Sequence, residues 1–226
     1  MKHCITARHT GGFGVHSPYI FSFIQHVLRE KHPYQAFAKI EFLRKELPAK
    51  NGSLNPKLAQ IIFRIINRYK FKKLLELGTG MGVETMYMAS VASENTCISI
   101  EENIDIVGLP QHNFEKLKLK NTQFIHANIE KELSQILSTQ GKQDFILIHA
   151  NRIKGSLMSH LLQCLAYVNE NAMIVITNIH ANPQVETVWQ QIQEQVNASL
   201  DIYHMGIIFM NPTLCKKQYR LYMKIR

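Results

Sequence analysis

Leu74-Leu75-Glu76-Leu77-Gly78-Thr79-Gly80-Met81-Gly82 decides how the rest of the chain is read. Lys73 to Leu77 is an apolar run with one acid inside it, the signature of a short buried strand. It runs straight into three glycines at alternate positions. Val83 to Ser93 then carries helical spacing without a breaker. A strand, a glycine turn and a helix in that order form a ligand cradle. Glycine lets the backbone reverse with positive φ and lets a ligand approach where a Cβ would stand in the way. The start of the helix adds unpaired N–H groups.

The glycine spacing narrows the ligand class. A dinucleotide site expects G-x-G-x-x-G, whereas here the order is Gly-Thr-Gly-Met-Gly with Glu76 two residues ahead of Gly78. The pattern Glu-x-Gly-x-Gly-x-Gly resembles motif I of class I S-adenosylmethionine-dependent methyltransferases. The resemblance implies Glu76, Gly78, Thr79, Gly80 and Gly82 as cofactor-binding positions. S-adenosylmethionine carries a sulfonium and an ammonium and no phosphate, so an acid beside the turn suits it.

Working outward, strand and helix patterns alternate from Lys73 onward. Strands are expected near 73–77, 96–101, 122–126, 144–149 and 172–177, and helices near 82–93, 109–119, 130–138, 155–168 and 184–197. Two further strands, near 201–210 and 217–225, have no helical segment between them and are expected to form an antiparallel hairpin. This order predicts an α/β, Rossmann-like class I methyltransferase fold. Its sheet would be seven-stranded and mostly parallel, in the order 3-2-1-4-5-7-6, with helices on both faces.

Upstream, residues 1–15 include Gly11-Gly12-Phe13-Gly14 and read as a flexible arm. Ser17 and Pro18 suit the N-cap and first position of a helix, and Ile20, Phe21, Ile24, Val27 and Leu28 follow as an amphipathic stripe. A second helix follows Pro33 with Phe37, Ile40 and Leu43 on one face. Asn51-Gly52-Ser53 reads as a loop. A third helix from about Pro56 to Tyr69 carries Leu58, Ile61, Ile62, Ile65 and Ile66. Residues 1–70 are therefore expected as an arm and helical extension that caps or lids a catalytic domain at 71–226.

Composition sets outer bounds. The 226 residues are 46% hydrophobic and 19% charged, and no apolar run reaches membrane-spanning length. Cys4, Cys97, Cys164 and Cys215 are scattered without C-x-x-C spacing, which argues against a zinc site or disulfide framework and favours reduced thiols and a cytoplasmic setting. Residues 1–72 hold 13 Lys and Arg against 3 Asp and Glu, so the whole +9 net charge comes from the N-terminal third. Such a surface could serve RNA, anionic lipid or an acidic substrate, although no arginine-rich or aromatic-interleaved patch sharpens it beyond a solvated helical surface. The sequence leaves the oligomer open, a homodimer included.

Each strand end offers a candidate group, because ligands in such sheets sit beyond the carboxyl ends of the strands. Glu101, about 20 residues past the glycine turn, is placed to accept the two hydroxyls of a ribose. Asn128 follows the third strand, where the superfamily places a contact to adenine. The fourth strand ends in His149-Ala150-Asn151-Arg152 and the fifth in Thr177-Asn178-Ile179-His180. These ends, with His16-Ser17-Pro18-Tyr19, Leu200-Asp201-Ile202-Tyr203 and Gly206-Ile207-Ile208-Phe209, resemble a Bacteroidetes subgroup related to catechol-type O-methyltransferases.

Catechol-type enzymes hold a divalent cation with two Asp and one Asn. The corresponding positions here are His149, Thr177 and Asn178, so both anionic ligands are gone. Mg²⁺ wants charged oxygen ligands in an octahedron, and no metal site with the family geometry is expected. The strand-four acid of the family also contacts the cofactor's ammonium, and His149 replaces it. His149 reads as a general base, a substrate hydrogen-bond donor or the mark of lost catalysis. Arg152, with Lys154, could receive an anionic group of the acceptor. The resulting expectation is a methyltransferase acting on a small-molecule hydroxyl, with His149 and Arg152 as catalytic candidates. The rivals are a catalytically degenerate cofactor-binding scaffold and an RNA methyltransferase.

Overall fold

The computed structural model describes residues 16–48, 52–106, 108–221 and 223. The expected arm at 1–15, with Cys4, and the far end of the expected last strand lie outside them.

Three helical segments precede the sheet. α1 (Pro18–Phe23) is capped by Ser17, whose hydroxyl accepts from the Ile20 amide, and Pro18 occupies the first turn, where its missing N–H costs nothing. It runs on as a π-helical turn, Ile24–Leu28. α2 (Gln35–Glu46) and α3 (Pro56–Tyr69) follow, the latter capped by Asn55 and closed by Lys70 in the left-handed region. α3 turns Leu58, Ile61, Ile62, Ile65 and Ile66 inward, each at most 3% exposed. Burial of such a side chain contributes about 1.5–3 kcal/mol. Arg64, on the same helix, lies over the Phe37 ring at 5.6 Å.

From there strand and helix alternate: β1 (Lys73–Leu77), α4 (Val83–Ala89), β2 (Thr96–Glu101), α5 (Leu109–Leu117), β3 (Thr122–His126), α6 (Ile129–Gln140), β4 (Gln143–His149), α7 (Leu157–Ala166), β5 (Val168–Thr177) and α8 (Pro183–Gln195). Three short strands close the chain: β6 (Ala198–Asp201), β7 (Met205–Phe209) and β8 (Lys217–Arg220). The sheet order is β3-β2-β1-β4-β5-β7-β6-β8, with β7 antiparallel to β5 and β6.

The expected order 3-2-1-4-5-7-6 holds, with an eighth strand added at the edge. The segments differ at the end of the chain. The stretch expected as one strand, 201–210, turns at 202–204, where Tyr203 takes φ +73, and 198–209 is itself the hairpin. β8 does not join that hairpin as its antiparallel partner; it pairs parallel to β6.

Strand alternation divides the interior in two. Leu74, Cys97, Phe145, Leu147, Met173, Val175 and Ile207 face the side covered by α1–α5. Leu75, Leu77, Ile98, Ile146, Ile148, Ile174 and Ile176 face the side covered by α6, α7 and α8. Both faces are apolar because a parallel sheet covered on each side offers no solvated face. The N-terminal helices thus complete the cover of one sheet face. No helix among the described residues is long and apolar enough to cross a membrane.

Candidate active site

The glycine turn does what its spacing predicts. Gly78, Gly80 and Gly82 take φ of +90, +55 and +74, and Gly82 sets the left-handed step into α4. The turn is pinned to the next strand, since the amides of Gly78 and Thr79 both donate to the Ile100 carbonyl. The Gly80 amide donates to Glu101 Oε2 at 2.7 Å. Glu101 is therefore at the rim of the turn, as its position at the end of β2 implied, and 4% exposed. Its Oε1 also accepts from the Asn103 amide. Asn128 is exposed, and its side chain caps α6 by accepting from the Lys131 amide.

Below the turn lies a buried polar chain that the sequence does not announce. Parallel register puts Glu76 of β1 beside Ser99 of β2 and Leu147 of β4. His149 is two residues beyond Leu147, on the same face, and Thr177 of β5 stands beside it. Glu76 Oε2 accepts from Ser99 Oγ at 2.6 Å and from the Thr85 hydroxyl of α4. Thr79 Oγ1 lies 2.6 Å from Ser99 Oγ. Glu76 Oε1 lies 3.0 Å from His149 Nε2, and His149 Nδ1 lies 3.3 Å from Thr177 Oγ1.

Glu76 and His149 are both fully buried. Burial raises the Glu76 carboxyl to about 7, against hydrogen bonds from Ser99 and Thr85 that pull it down. Burial, with the nearby Arg152 charge, lowers His149 to about 3. The contact between them is therefore a hydrogen bond to a neutral imidazole at pH 7, not an ion pair. Of the three readings of His149, its burial weighs against the general base. It has no solvent exposure, both ring nitrogens are engaged and its basicity is low, because it sits under the turn rather than beyond the strand ends.

The raised Glu76 carboxyl makes stability depend on pH. The folded state holds this proton more tightly than the unfolded state, so the group favours folding below about 4.5 and loses that contribution as pH rises through about 7. Glu76→Gln keeps the shape without the titration. The variant's stability relative to wild type should grow with pH between about 4.5 and 7, by at most about 1.4 kcal/mol per unit, and level off above. Urea unfolding across that range measures it; a pH-independent difference would exclude the raised carboxyl.

Arg152 comes from the loop after β4 and folds back over the turn. Its Nη1 donates to the carbonyls of Gly78 (3.0 Å) and Thr79 (3.3 Å). Its Nη2 donates to the Gly52 carbonyl (2.8 Å) and to Glu84 Oε2 (3.0 Å). Glu84, in the first turn of α4, is fully buried, and its Oε1 accepts from the Leu54 amide at 2.5 Å. Sequence reasoning passed over Glu84. An acid directly after the glycine turn, with an arginine at the end of β4, was the signal available. Glu76, Glu84 and His149 bring one ligand atom each within 4.8 Å of one another, but the Arg152 guanidinium already supplies the positive charge there.

At the end of β5, Asn178 takes φ +58 and donates to Asn151 Oδ1. His180 is held between Asp201 (3.0 Å) and Glu186 (3.2 Å). The Asp201 hydrogen bond raises its pKa against the opposing effect of burial. Lys154 meets Glu102 through its amide, not through its side chain.

A mostly parallel sheet with one antiparallel strand near its end, and a glycine turn facing an acid across β1 and β2, is the architecture of a ligand-cradling α/β domain. The comparisons specify the family. The methyltransferase domain model matches residues 70–220. The model of protein-L-isoaspartate(D-aspartate) O-methyltransferase matches residues 3–135. The chain belongs to the methyltransferase family.

Among sequence relatives, 142 residues are 25% identical to the 23S rRNA (uracil(1939)-C(5))-methyltransferase RlmD of Yersinia enterocolitica, over 62% of this chain. The chain spans about a third of that relative's length. Among solved structures, the Podospora anserina methyltransferase PaMTH1 bound to S-adenosylhomocysteine superposes with TM-score 0.66 at 15% identity, over 81% of this chain and 92% of that one. The O-methyltransferase TomG of Streptomyces achromogenes, in complex with S-adenosylmethionine, superposes with TM-score 0.62 at 12% identity, over 80% and 91%. At these identities the likeness is one of fold.

Proposed function

We propose that the protein is an S-adenosylmethionine-dependent methyltransferase acting on a hydroxyl of a small molecule, without the divalent metal of catechol-type enzymes. One observation carries the metal-free reading. His149, Thr177 and Asn178 stand at the ends of β4 and β5 with no carboxylate among them, and the first two hydrogen-bond to each other. The residues fit the nucleoside part of the cofactor. Gly78, Gly80 and Gly82 carry no side chains of their own, Arg152 lies against the first two and Pro110 against the third, and Glu101 keeps acceptor capacity at the rim for ribose hydroxyls. In this reading Asn128 reaches the adenine only by giving up its cap.

Bound S-adenosylmethionine supplies a methyl already activated on a sulfonium. The protein's part is to align the acceptor oxygen and exclude water. His149 then acts by holding Glu76 under the turn, not by taking the acceptor's proton. The N-terminal segment, 1–70, serves as the extension over the catalytic domain, 71–226. The unpaired thiols of Cys97, Cys164 and Cys215 suit the cytoplasm.

A second reading, a cofactor-binding scaffold that has lost catalysis, is favoured by the burial of His149 and by Arg152 lying over the turn. Titration calorimetry with S-adenosylmethionine and S-adenosylhomocysteine, with and without Mg²⁺, separates these readings. Micromolar binding indifferent to Mg²⁺, followed by transfer of labelled methyl to a phenolic or alcoholic acceptor, is the expected result. Binding without transfer would put the scaffold first. Binding that requires Mg²⁺ would overturn the metal-free site.

A further inference from the structure

The cradle's amino-acid end is filled by the protein itself. A Cβ on Gly78 would lie 2.9 Å from Arg152 Cβ and 3.3 Å from His149 Cβ, and one on Gly80 would lie 3.1 Å from Arg152 Nη1. The space left bare by Gly78 and Gly80 is thus taken up mainly by the Arg152 side chain, and that beside Gly82 by Pro110. Family resemblance places the cofactor's ammonium at the strand-four end, which is the position of His149. That is also where Glu84 and Arg152 pair, a carboxylate and a cation held 3.0 Å apart.

The pair is tied to a distant part of the chain. Glu84 accepts the Leu54 amide with one oxygen and Arg152 with the other. Arg152 reaches past it to the Gly52 carbonyl. Arg44 of α2 also donates to the Leu54 carbonyl. Residues 52–54, which lead into α3, are therefore fastened to the glycine turn by two charged side chains. A buried charge-assisted bond of this kind is stronger than a neutral one. Its partners are unequal in exposure. Glu84 lies in α4 and is fully buried, whereas the Arg152 side chain keeps 11% exposure.

We propose that Arg152 and Glu84 form a gate over the amino-acid end of the cradle. Their pairing holds residues 52–54 against the turn in the free protein, and it parts when an adenosyl amino acid enters. The incoming group carries its own ammonium and carboxylate, so it can replace each member of the pair with a like charge. A nucleoside without that tail meets Glu101 and the turn alone and leaves the gate shut. The proposal rests on the cofactor reading above.

Two experiments test it on the whole chain. The first compares wild type with Glu84→Gln by stopped-flow binding, using S-adenosylhomocysteine and adenosine as probes. Glutamine keeps one acceptor oxygen, for the Leu54 amide, and turns an NH2 toward Arg152, so the pair is broken. The association rate of S-adenosylhomocysteine should rise about tenfold because the gate no longer has to open, while that of adenosine stays within twofold. An unchanged or slower association of S-adenosylhomocysteine would overturn the gate. The second needs no variant. Hydrogen exchange at the Leu54 amide in wild type should speed up at saturating S-adenosylhomocysteine and not at saturating adenosine. Binding with unchanged or greater protection of Leu54 overturns the gate and leaves the cofactor reading intact. Binding of neither probe to either protein overturns the cofactor reading, and the gate with it.

Discussion

Glu101→Ala is expected to weaken S-adenosylhomocysteine binding by about 1–3 kcal/mol, the cost of losing a charged acceptor. That corresponds to roughly five- to 150-fold in Kd. Two losses combine in the variant. The ribose hydroxyls lose their carboxylate, and the Gly80 amide loses the acceptor that holds it at 2.7 Å. The second loss loosens the turn that must present its bare backbone to the ligand. Adenosine should lose affinity by a similar factor, because both ligands share the ribose. Calorimetry on the variant, with its melting temperature checked, makes the measurement. Unchanged affinity for both ligands would remove Glu101 from the site and place the nucleoside elsewhere.

Gly206→Val should be the most damaging of the single glycine replacements away from the turn. Gly206 lies on β7 opposite Ile176 of β5 and Asp201 of β6. A Cβ there would stand 2.5 Å from Trp189 Cζ3 and 2.6 Å from Cη2. Trp189 is 1% exposed and packs between α8 and the sheet, so the ring cannot step aside. Overpacking a rigid core costs about 1–3 kcal/mol and occasionally more, and the isopropyl group with a large aromatic neighbour puts this case at the upper end. Melting should fall by about 6–12 °C at 2–4 °C per kcal/mol for a chain of this size. Gly108→Ala is the matched control: a Cβ there meets nothing within 4 Å, and the residue takes φ −86. Its effect should stay within about 0.5 kcal/mol. Equal melting of the two variants would mean that Trp189 is free to repack.

The alternation from Lys73 to Gln195 was readable because it depends on local periodicity and on the breakers between elements. Ser17-Pro18, Asn55-Pro56 and Asn182-Pro183 each carry a cap and a first-turn proline side by side, and all three start helices. The end of the chain was harder. The strand break at 202–204 depends on Tyr203 adopting positive φ while its amide is held by Asp201, and neither fact has a sequence signature. The parallel pairing of β8 is likewise a matter of register between distant segments.

The site was readable where the chain itself brings residues together. Gly78, Gly80 and Gly82 adopt the conformations that their spacing required, and Glu101 stands where its distance from the turn put it. His149 and Arg152 were legible as positions but not as contacts. Whether a residue at the end of β4 points beyond the sheet or beneath the turn depends on its register against β1, 73 residues away. Glu84 was missed because its meaning lies in two partners outside its own helix, Arg152 and Leu54.

The parallel pairing of β8 with β6 has a bearing on assembly. An outermost strand ordinarily displays a row of free amides and carbonyls on which another chain can build. β6 is fully buried along its length, and among the described residues β8 takes that outer place with four, Lys217 to Arg220, two of them basic. Short, charged strands of this kind discourage end-to-end growth. Two copies of this protein are therefore discouraged from extending one sheet into the other at this margin, which leaves the β3 edge and the helical faces for any such contact.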